Sequence, residues 1–366
     1  MNANLRNRAA ALAAALSLAG CVFSPRAHDD AAVYLQRNLV ADSAAIPAEH
    51  IDPNLVNAWG IAFNPFGVVW VSANGTGKST LYDGDGIPQT LVVTIPPAVA
   101  GATGNPTGIV FYGGAGFIVR QGTLSGPSRF LFASEDGGIS GWSPGVNPTN
   151  AIRVVNNTGA IYKGLAISAG GSRALLYASD FRNNRIDVFD TTFTPVALPG
   201  RPFYDPHLPA GFAPFGLQAI NGDIYVTYAK QNADRTDDVT GRGFGFVSVF
   251  TPNGELVRRF ASGGVLNAPW GIALAPASFG RFGNRLLVAN FGDGAINAFD
   301  VDTGFFVGRL KGKDRKPIAI DGLWGIAFGN GVANQPTNTL FFTAGPDDEQ
   351  RGLYGRLDVD TGDGHD

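Results

Sequence analysis

At 366 residues, 45% hydrophobic and 16% charged, the chain has material for a large core and lacks the composition of a disordered polymer. A net charge of -3, from 27 Lys and Arg against 30 Asp and Glu, excludes the basic field that grips a phosphate backbone, so nucleic acid is not an expected partner. Fifty Gly, 23 Pro, 26 Phe and a single Met favour strands and turns over helices, which makes an all-β fold the first expectation.

The chain opens with Arg6 and Arg8, an Ala/Leu-rich run from Ala9 to Leu18, and then Ala19-Gly20-Cys21, the layout of a bacterial-type export signal. Leu18-Ala19-Gly20-Cys21 is similar to a lipobox, in which small residues admit the peptidase and the Cys21 thiol takes the lipid. Ordinary cleavage nearby, with Cys21 incidental, and a membrane-spanning anchor are the competing readings. The apolar run is shorter than the ~20 residues of a spanning helix. Residues 1–21 are therefore expected to be a lipoprotein signal, and the lipid on Cys21 an anchor to a membrane of the cell envelope, in the periplasm or at the outer membrane. Val22, which is not Asp, favours the outer membrane. With one cysteine in the sequence, no intrachain disulfide can form. Residues 22–33 are polar and aperiodic and read as a linker.

From residue 34 onward a short pattern recurs: a bulky or polar residue, then Gly, then alternating apolar residues. Its copies are Trp59-Gly60-Ile61, Thr107-Gly108-Ile109, Lys163-Gly164-Leu165, Phe215-Gly216-Leu217, Trp270-Gly271-Ile272 and Trp324-Gly325-Ile326. Gly60 and Gly325 lie 265 positions apart over five intervals, a mean of 53. That period suits a four-stranded blade with long loops. Each copy continues into a second apolar strand (Val68–Val71, Leu175–Ala178, Asp223–Val226, Arg285–Val288, Thr339–Phe342). A period-two third strand follows, such as Asn184–Asp190 or Gly294–Asp300. The last copy supplies three strands, ending at Leu357, and Val33–Val40 has the composition to add the fourth. The expected architecture is a six-bladed β-propeller over residues 34–358, its last blade closed by the N-terminal strand, with a flexible tail at 359–366. Closure of that kind removes open sheet edges.

The segments Asn57-Ala58-Trp59-Gly60-Ile61-Ala62, Gly243-Phe244-Gly245-Phe246-Val247, Asn267-Ala268-Pro269-Trp270-Gly271, Ala289-Asn290-Phe291-Gly292-Asp293-Gly294 and Phe342-Thr343-Ala344-Gly345-Pro346 resemble an uncharacterised family of bacterial exported propellers over nearly the whole mature chain. The blade pattern is more loosely similar to NHL-repeat and gluconolactonase-like six-bladed propellers. That likeness implies a fold and carries over no catalytic residue.

Several motifs that suggest chemistry have plainer readings. Gly75-Thr76-Gly77-Lys78-Ser79-Thr80 departs from a phosphate-binding loop, because Ser72 stands where the first Gly belongs and strand-like residues follow, so no nucleotide is expected. The Asp-Gly clusters at Asp83–Gly86, Asp136–Gly138, Asp300–Gly304 and Asp358–Gly364 offer oxygens to Ca2+ but lack a closing Glu, and hairpin turns explain them directly. The four histidines are scattered without zinc-ligand spacing.

In a propeller, the heads of the first strands and the turns after the second strands open at one end of the channel. Aligning the repeats by sequence puts Trp59, Lys163, Phe215, Trp270 and Trp324 at the heads, and Asn74, Asp180, Lys230 and Asn290 after the second strands. Tryptophan faces with Asn, Asp and Lys could grip a sugar, lactone or peptide. Equally, the tryptophans could be core, with Asn and Asp capping turns. Two functions follow. One is an envelope propeller that binds a protein, a polysaccharide or a small ligand at this face. The alternative is a metal-assisted lactonase-like or lyase-like enzyme in which Asn74, Asp180 and Asn290 hold a divalent cation such as Ca2+ and Lys163 or Lys230 polarises the substrate. The apparent lack of a glutamate at the mouth weakens the second.

Overall fold

The computed structural model describes residues 33–168 and 174–360. The signal segment, Cys21, the linker up to residue 32 and the chain beyond Asp360 lie outside the described residues.

Six antiparallel sheets follow one another along the chain as the blades of a β-propeller. Blade 1 comprises Ala58–Phe63, Val69–Ala73, Lys78–Tyr82 and Val93–Thr94; blade 2 comprises Pro106–Phe111, Phe130–Ser134, Gly138–Trp142 and Ile152–Asn156. Blade 3 has three strands, Tyr162–Ile167, Leu176–Asp180 and Arg185–Phe189, and blade 4 has Phe212–Ile220, Asp223–Gln231, Gly245–Phe250 and Leu256–Ser262. Blade 5 is formed by Pro269–Leu274, Arg285–Asn290, Ile296–Asp300 and Phe306–Arg309. Blade 6 takes Leu323–Phe328, Leu340–Ala344 and Leu353–Val359 from the end of the chain and Tyr34–Ala41 from its beginning.

The closing strand pairs antiparallel to Leu353–Val359, from Tyr34 opposite Val359 to Ala41 opposite Leu353. Its Leu39, Val40 and Ala41 are fully buried, so ring closure rests on side-chain packing as well as on the hydrogen-bond ladder. The last strand reaches Val359, one residue past the expected end of the propeller.

The first strands of successive blades touch in order, and that of blade 6 returns to that of blade 1. The repeated glycines make this approach possible. A Cβ on Gly216 would lie 1.9 Å from the Trp270 carbonyl oxygen, and one on Gly60 would lie 2.3 Å from that of Thr107. Both distances fall inside van der Waals contact, so the inner strands can close on one another only where the side chain is a hydrogen atom. Hydroxyls on three second strands fix the same backbone: the N–H groups of Gly164, Gly216 and Gly325 donate to Ser179, Thr227 and Thr343 at 2.6, 2.8 and 3.0 Å.

The Gly75–Thr80 segment is a one-turn 3-10 helix, Asn74–Thr76, running into the strand Lys78–Tyr82. The Lys78 ammonium donates to Asn54 Oδ1 at 2.5 Å. The segment is a turn between two strands of blade 1 and has no helix to cradle a phosphate.

Candidate functional site at the lysine-centred mouth

Strand pairing defines which residues share the channel mouth. The first strands enter opposite the ends of the second strands at Ala58 with Ala73, Pro106 with Ser134, Tyr162 with Asp180, Pro214 with Tyr228, Pro269 with Asn290 and Leu323 with Ala344. The next residue on each first strand is Trp59, Thr107, Lys163, Phe215, Trp270 or Trp324, as the repeat pattern indicates. The next residue along each second strand or just past its end is Asn74, Glu135, Phe181, Ala229, Phe291 or Gly345, Ala229 still lying within Asp223–Gln231. By this register Asp180 and Asn290 sit one residue before the position of Asn74, and Lys230 one residue after it. A slip of one residue in a strand sends the side chain to the opposite face.

The contacts agree with that register. Asp180 has no exposed surface and caps its own turn, accepting from the Ile161 and Asn183 N–H groups at 3.3 Å and from Asn183 Nδ2 at 2.7 Å, with Arg185 at 3.3 Å. Asn290 donates to the Val265 carbonyl and to Asp293 at 2.9 and 2.8 Å. The Lys230 ammonium lies 4.2 Å above the ring of Phe244. Asn74, by contrast, donates to Glu135 at 2.9 Å. The trio Asn74, Asp180 and Asn290 is therefore not gathered on one cation position. Among the described residues no three His, Cys, Asp or Glu side chains converge as a metal-binding group. Asn74, Asp180 and Asn290 together therefore do not form one cation site.

The tryptophans meet across the channel. Trp59 stacks on Trp324 at 3.7 Å between ring centroids, Trp270 meets both edge-on at 6.4 and 6.0 Å, and Phe291 stacks on the other side of Trp324 at 4.1 Å. Phe215 completes the cluster edge-on to Trp324 at 5.7 Å. Trp59, Phe215 and Trp324 have no exposed surface. Their faces are spent on one another, which closes the channel at the level of the strand heads and supplies a rigid floor.

Above that floor lies the polar part. Lys163 is 1% exposed, yet it carries a charge. Its ammonium donates to Glu135 Oε1 at 2.6 Å, reaches Asp237 Oδ1 at 3.3 Å and sits 4.8 Å over the Trp59 ring. Burial alone would pull the ammonium down, but Glu135 and Asp237 outweigh it and hold its pKa above the ordinary lysine value. Glu349 accepts from Asn57 Nδ2 at 2.6 Å, and Asn57 Oδ1 accepts from the Trp324 indole at 3.0 Å. Burial, reinforced by Asp237, pushes Glu349 up to about 7 despite Lys163. Burial and the adjacent Asp237 likewise push Asp238 up to about 7. Four carboxyl groups, from blades 2, 4 and 6, thus surround one buried ammonium.

The mouth also holds unpaired polar atoms. The indole nitrogens of Trp59 and Trp270 and Asp238 Oδ2 have no hydrogen-bond partner among the described residues. Buried donors and acceptors are nearly always satisfied by protein or by water. The backbone bringing Glu349 here is strained: Asp347, Asp348 and Glu349 hold φ of +56, +55 and +64. Three successive non-glycine residues in the left-handed region cost roughly 1–2 kcal/mol each, and such strain clusters at functional sites.

Sequence alignment of the repeats misses all four carboxyls, and the expectation of a mouth without glutamate is corrected by Glu135 and Glu349. Glu135 escapes because a hairpin, Ile118–Gln121 with Leu124–Pro127, is inserted ahead of the second strand of blade 2 and displaces it from the expected spacing. Asp237 and Glu349 sit on loops, and Asp238 on the two-residue strand Asp238–Val239, in segments that carry no repeat. Placing the residue just after each second strand would have found Glu135.

Comparison with known proteins places this geometry. No family model matches the chain. Two Acanthamoeba polyphaga mimivirus proteins, uncharacterised proteins R648 and L690, are each 36% identical to it over 330 and 332 residues, covering 87% of this chain and 79% and 84% of their own. These relatives are viral and lend no support to a bacterial family. Among solved structures, a Bacteroides thetaiotaomicron protein of unknown function aligns with TM-score 0.55 at 12% identity, over 89% of this chain and 76% of its own. A Xanthomonas campestris gluconolactonase aligns with TM-score 0.51 at 13% identity, over 84% and 87%. At such identities the likeness shows the fold.

Proposed function

From the premise that this chain belongs to the propeller family of the mimivirus proteins R648 and L690, we propose that it is a binding propeller whose lysine-centred mouth captures a ligand bearing an amine or guanidinium group. The observation that carries this reading is the convergence of Glu135, Asp237, Asp238 and Glu349 on the single buried ammonium of Lys163. One internal cation cannot neutralise four carboxyls, so the mouth keeps negative charge. Glu135 and Asp237 retain 29% and 48% of their side-chain surface, leaving carboxylate oxygens open to an incoming donor. A cation arriving there ionises Asp238 and Glu349 more fully, so binding near neutral pH releases protons. Export, and a lipid on Cys21 that tethers the propeller to a membrane, belong to the same reading.

A second reading has its own support. Two carboxyls titrating near 7 beside an ammonium are equipped for general acid–base chemistry on a lactone or a comparable ester, with no bound metal. In that case one carboxyl moves the proton and Lys163 stabilises negative charge developing on the substrate oxygen.

Calorimetric titration with butylguanidinium at pH 7, in two buffers of different ionisation enthalpy, separates the two. Saturable binding with proton release, weakened in Glu135→Gln and Glu349→Gln, supports capture. Absence of binding, together with turnover of glucono-δ-lactone that is lost in Glu349→Gln, overturns it in favour of acid–base catalysis.

A further inference from the structure

The opposite end of the channel is a second concavity with different chemistry. The tails of the six first strands diverge around a cavity of about 560 Å³, a volume suited to a small molecule. Ile61, Phe63, Ile109, Phe111, Ile326 and Phe328 contribute much of its wall, and no charged side chain lines it. The aromatic floor formed by Trp59, Trp270 and Trp324 separates it from Lys163, so the two ends are chemically independent.

One position breaks the pattern of this funnel. Two residues beyond the ring glycines, the first strands carry Ala62, Val110, Ala166, Gln218, Ala273 and Ala327. Five are apolar, and Ala166 and Ala273 among them are buried in the core. The sixth, Gln218, is an exposed side chain that lines both the funnel and the narrower part of the channel behind it. None of the hydrogen bonds among the described residues uses its amide, although that amide offers two donors and an acceptor.

We propose that this end is a second binding site, for a small neutral ligand with an apolar body and a single hydrogen-bonding group that pairs with the Gln218 amide. The Ile and Phe side chains supply apolar area, and Gln218, with Asn221 as a second polar side chain on the wall, fixes orientation, as in small-molecule pockets generally. A charged ligand is disfavoured, because entering the funnel would strip its hydration and no countercharge lines the wall.

The test uses the full chain and prodan, a neutral naphthalene carrying one carbonyl, whose fluorescence shifts to the blue in apolar surroundings. The expected result is saturable one-to-one binding with a blue shift. Gln218→Leu, which keeps the volume and removes the amide, should weaken binding roughly three- to tenfold, the worth of one neutral hydrogen bond. Ala327→Phe, which fills the funnel from a half-buried position, should abolish it. Should that variant not fold, Ala62→Leu narrows the same funnel and takes its place. Absence of saturable binding, or binding indifferent to both Gln218→Leu and the filling substitution, overturns the proposal.

Discussion

Lys163 Nζ lies 2.6 Å from Glu135 Oε1, joining blade 3 to blade 2 across the channel mouth through a lysine that is itself 1% exposed. The pair sets the electrostatics of everything around it. Glu349 and Asp238, which feel the same ammonium, still have their pKa values raised to about 7 by burial and by Asp237.

Those raised values make stability depend on pH with a defined sign. A carboxyl that holds its proton more tightly in the folded state stabilises the fold at low pH, and that contribution is lost as pH rises from the unfolded carboxyl range through about 7. Melting temperature should therefore fall between pH 5 and pH 8 by an amount corresponding to roughly 1–3 kcal/mol for the two groups together. The variants Glu349→Gln and Asp238→Asn should each flatten the slope and gain stability at pH 8. Lys163→Met removes the cation that opposes the shift, so the midpoint of the same profile should move upward. A profile unchanged by all three substitutions would show that these carboxyls ionise normally.

Anchoring through Cys21 is checked apart from the fold. If Leu18 to Cys21 directs lipid attachment, Cys21→Ser should move the protein from the membrane fraction to the soluble one, and metabolic labelling with a fatty acid should be lost with it. Membrane fractionation that is identical in the two chains would leave the cysteine incidental.

The repeating glycine and its alternating apolar followers made the blades legible in the sequence, because ring closure imposes the same steric demand at Gly60, Gly108, Gly164, Gly216, Gly271 and Gly325. The closing strand was legible for a related reason: the last repeat lacked a fourth strand, and Tyr34–Ala41 had nowhere else to pair. The strand-head residues, Lys163 among them, came out of the same alignment. What faced them did not. Asp180 and Asn290 look like equivalents of Asn74 in the sequence, and only the pairing of Tyr162 with Asp180 and Pro269 with Asn290 shows them to be one residue short. Glu349 depends on three consecutive left-handed residues, Asp347 to Glu349, none of them glycine. Local propensity argues against that conformation, so nothing short of the tertiary structure announces it.

The glycine ring gives the sharpest test of the architecture, through two substitutions of identical chemistry. In Gly216→Ala the new methyl meets the Trp270 carbonyl oxygen at 1.9 Å and backbone must move, since no flexible side chain stands there to give way. Gly145→Ala places the same methyl in open space, with no heavy atom within 4 Å and no positive φ to strain. Overpacking against rigid backbone typically costs about 1–3 kcal/mol and sometimes more, so Gly216→Ala should fall at or above the top of that range, read as a large drop in the denaturant midpoint. Gly145→Ala should stay within about 0.5 kcal/mol of the parent, or gain slightly from the lower entropy of its unfolded chain. The contrast follows from closure of the ring alone. Were the two variants equally stable, the inner strands of blades 4 and 5 could not approach as closely as a six-bladed ring of this geometry requires.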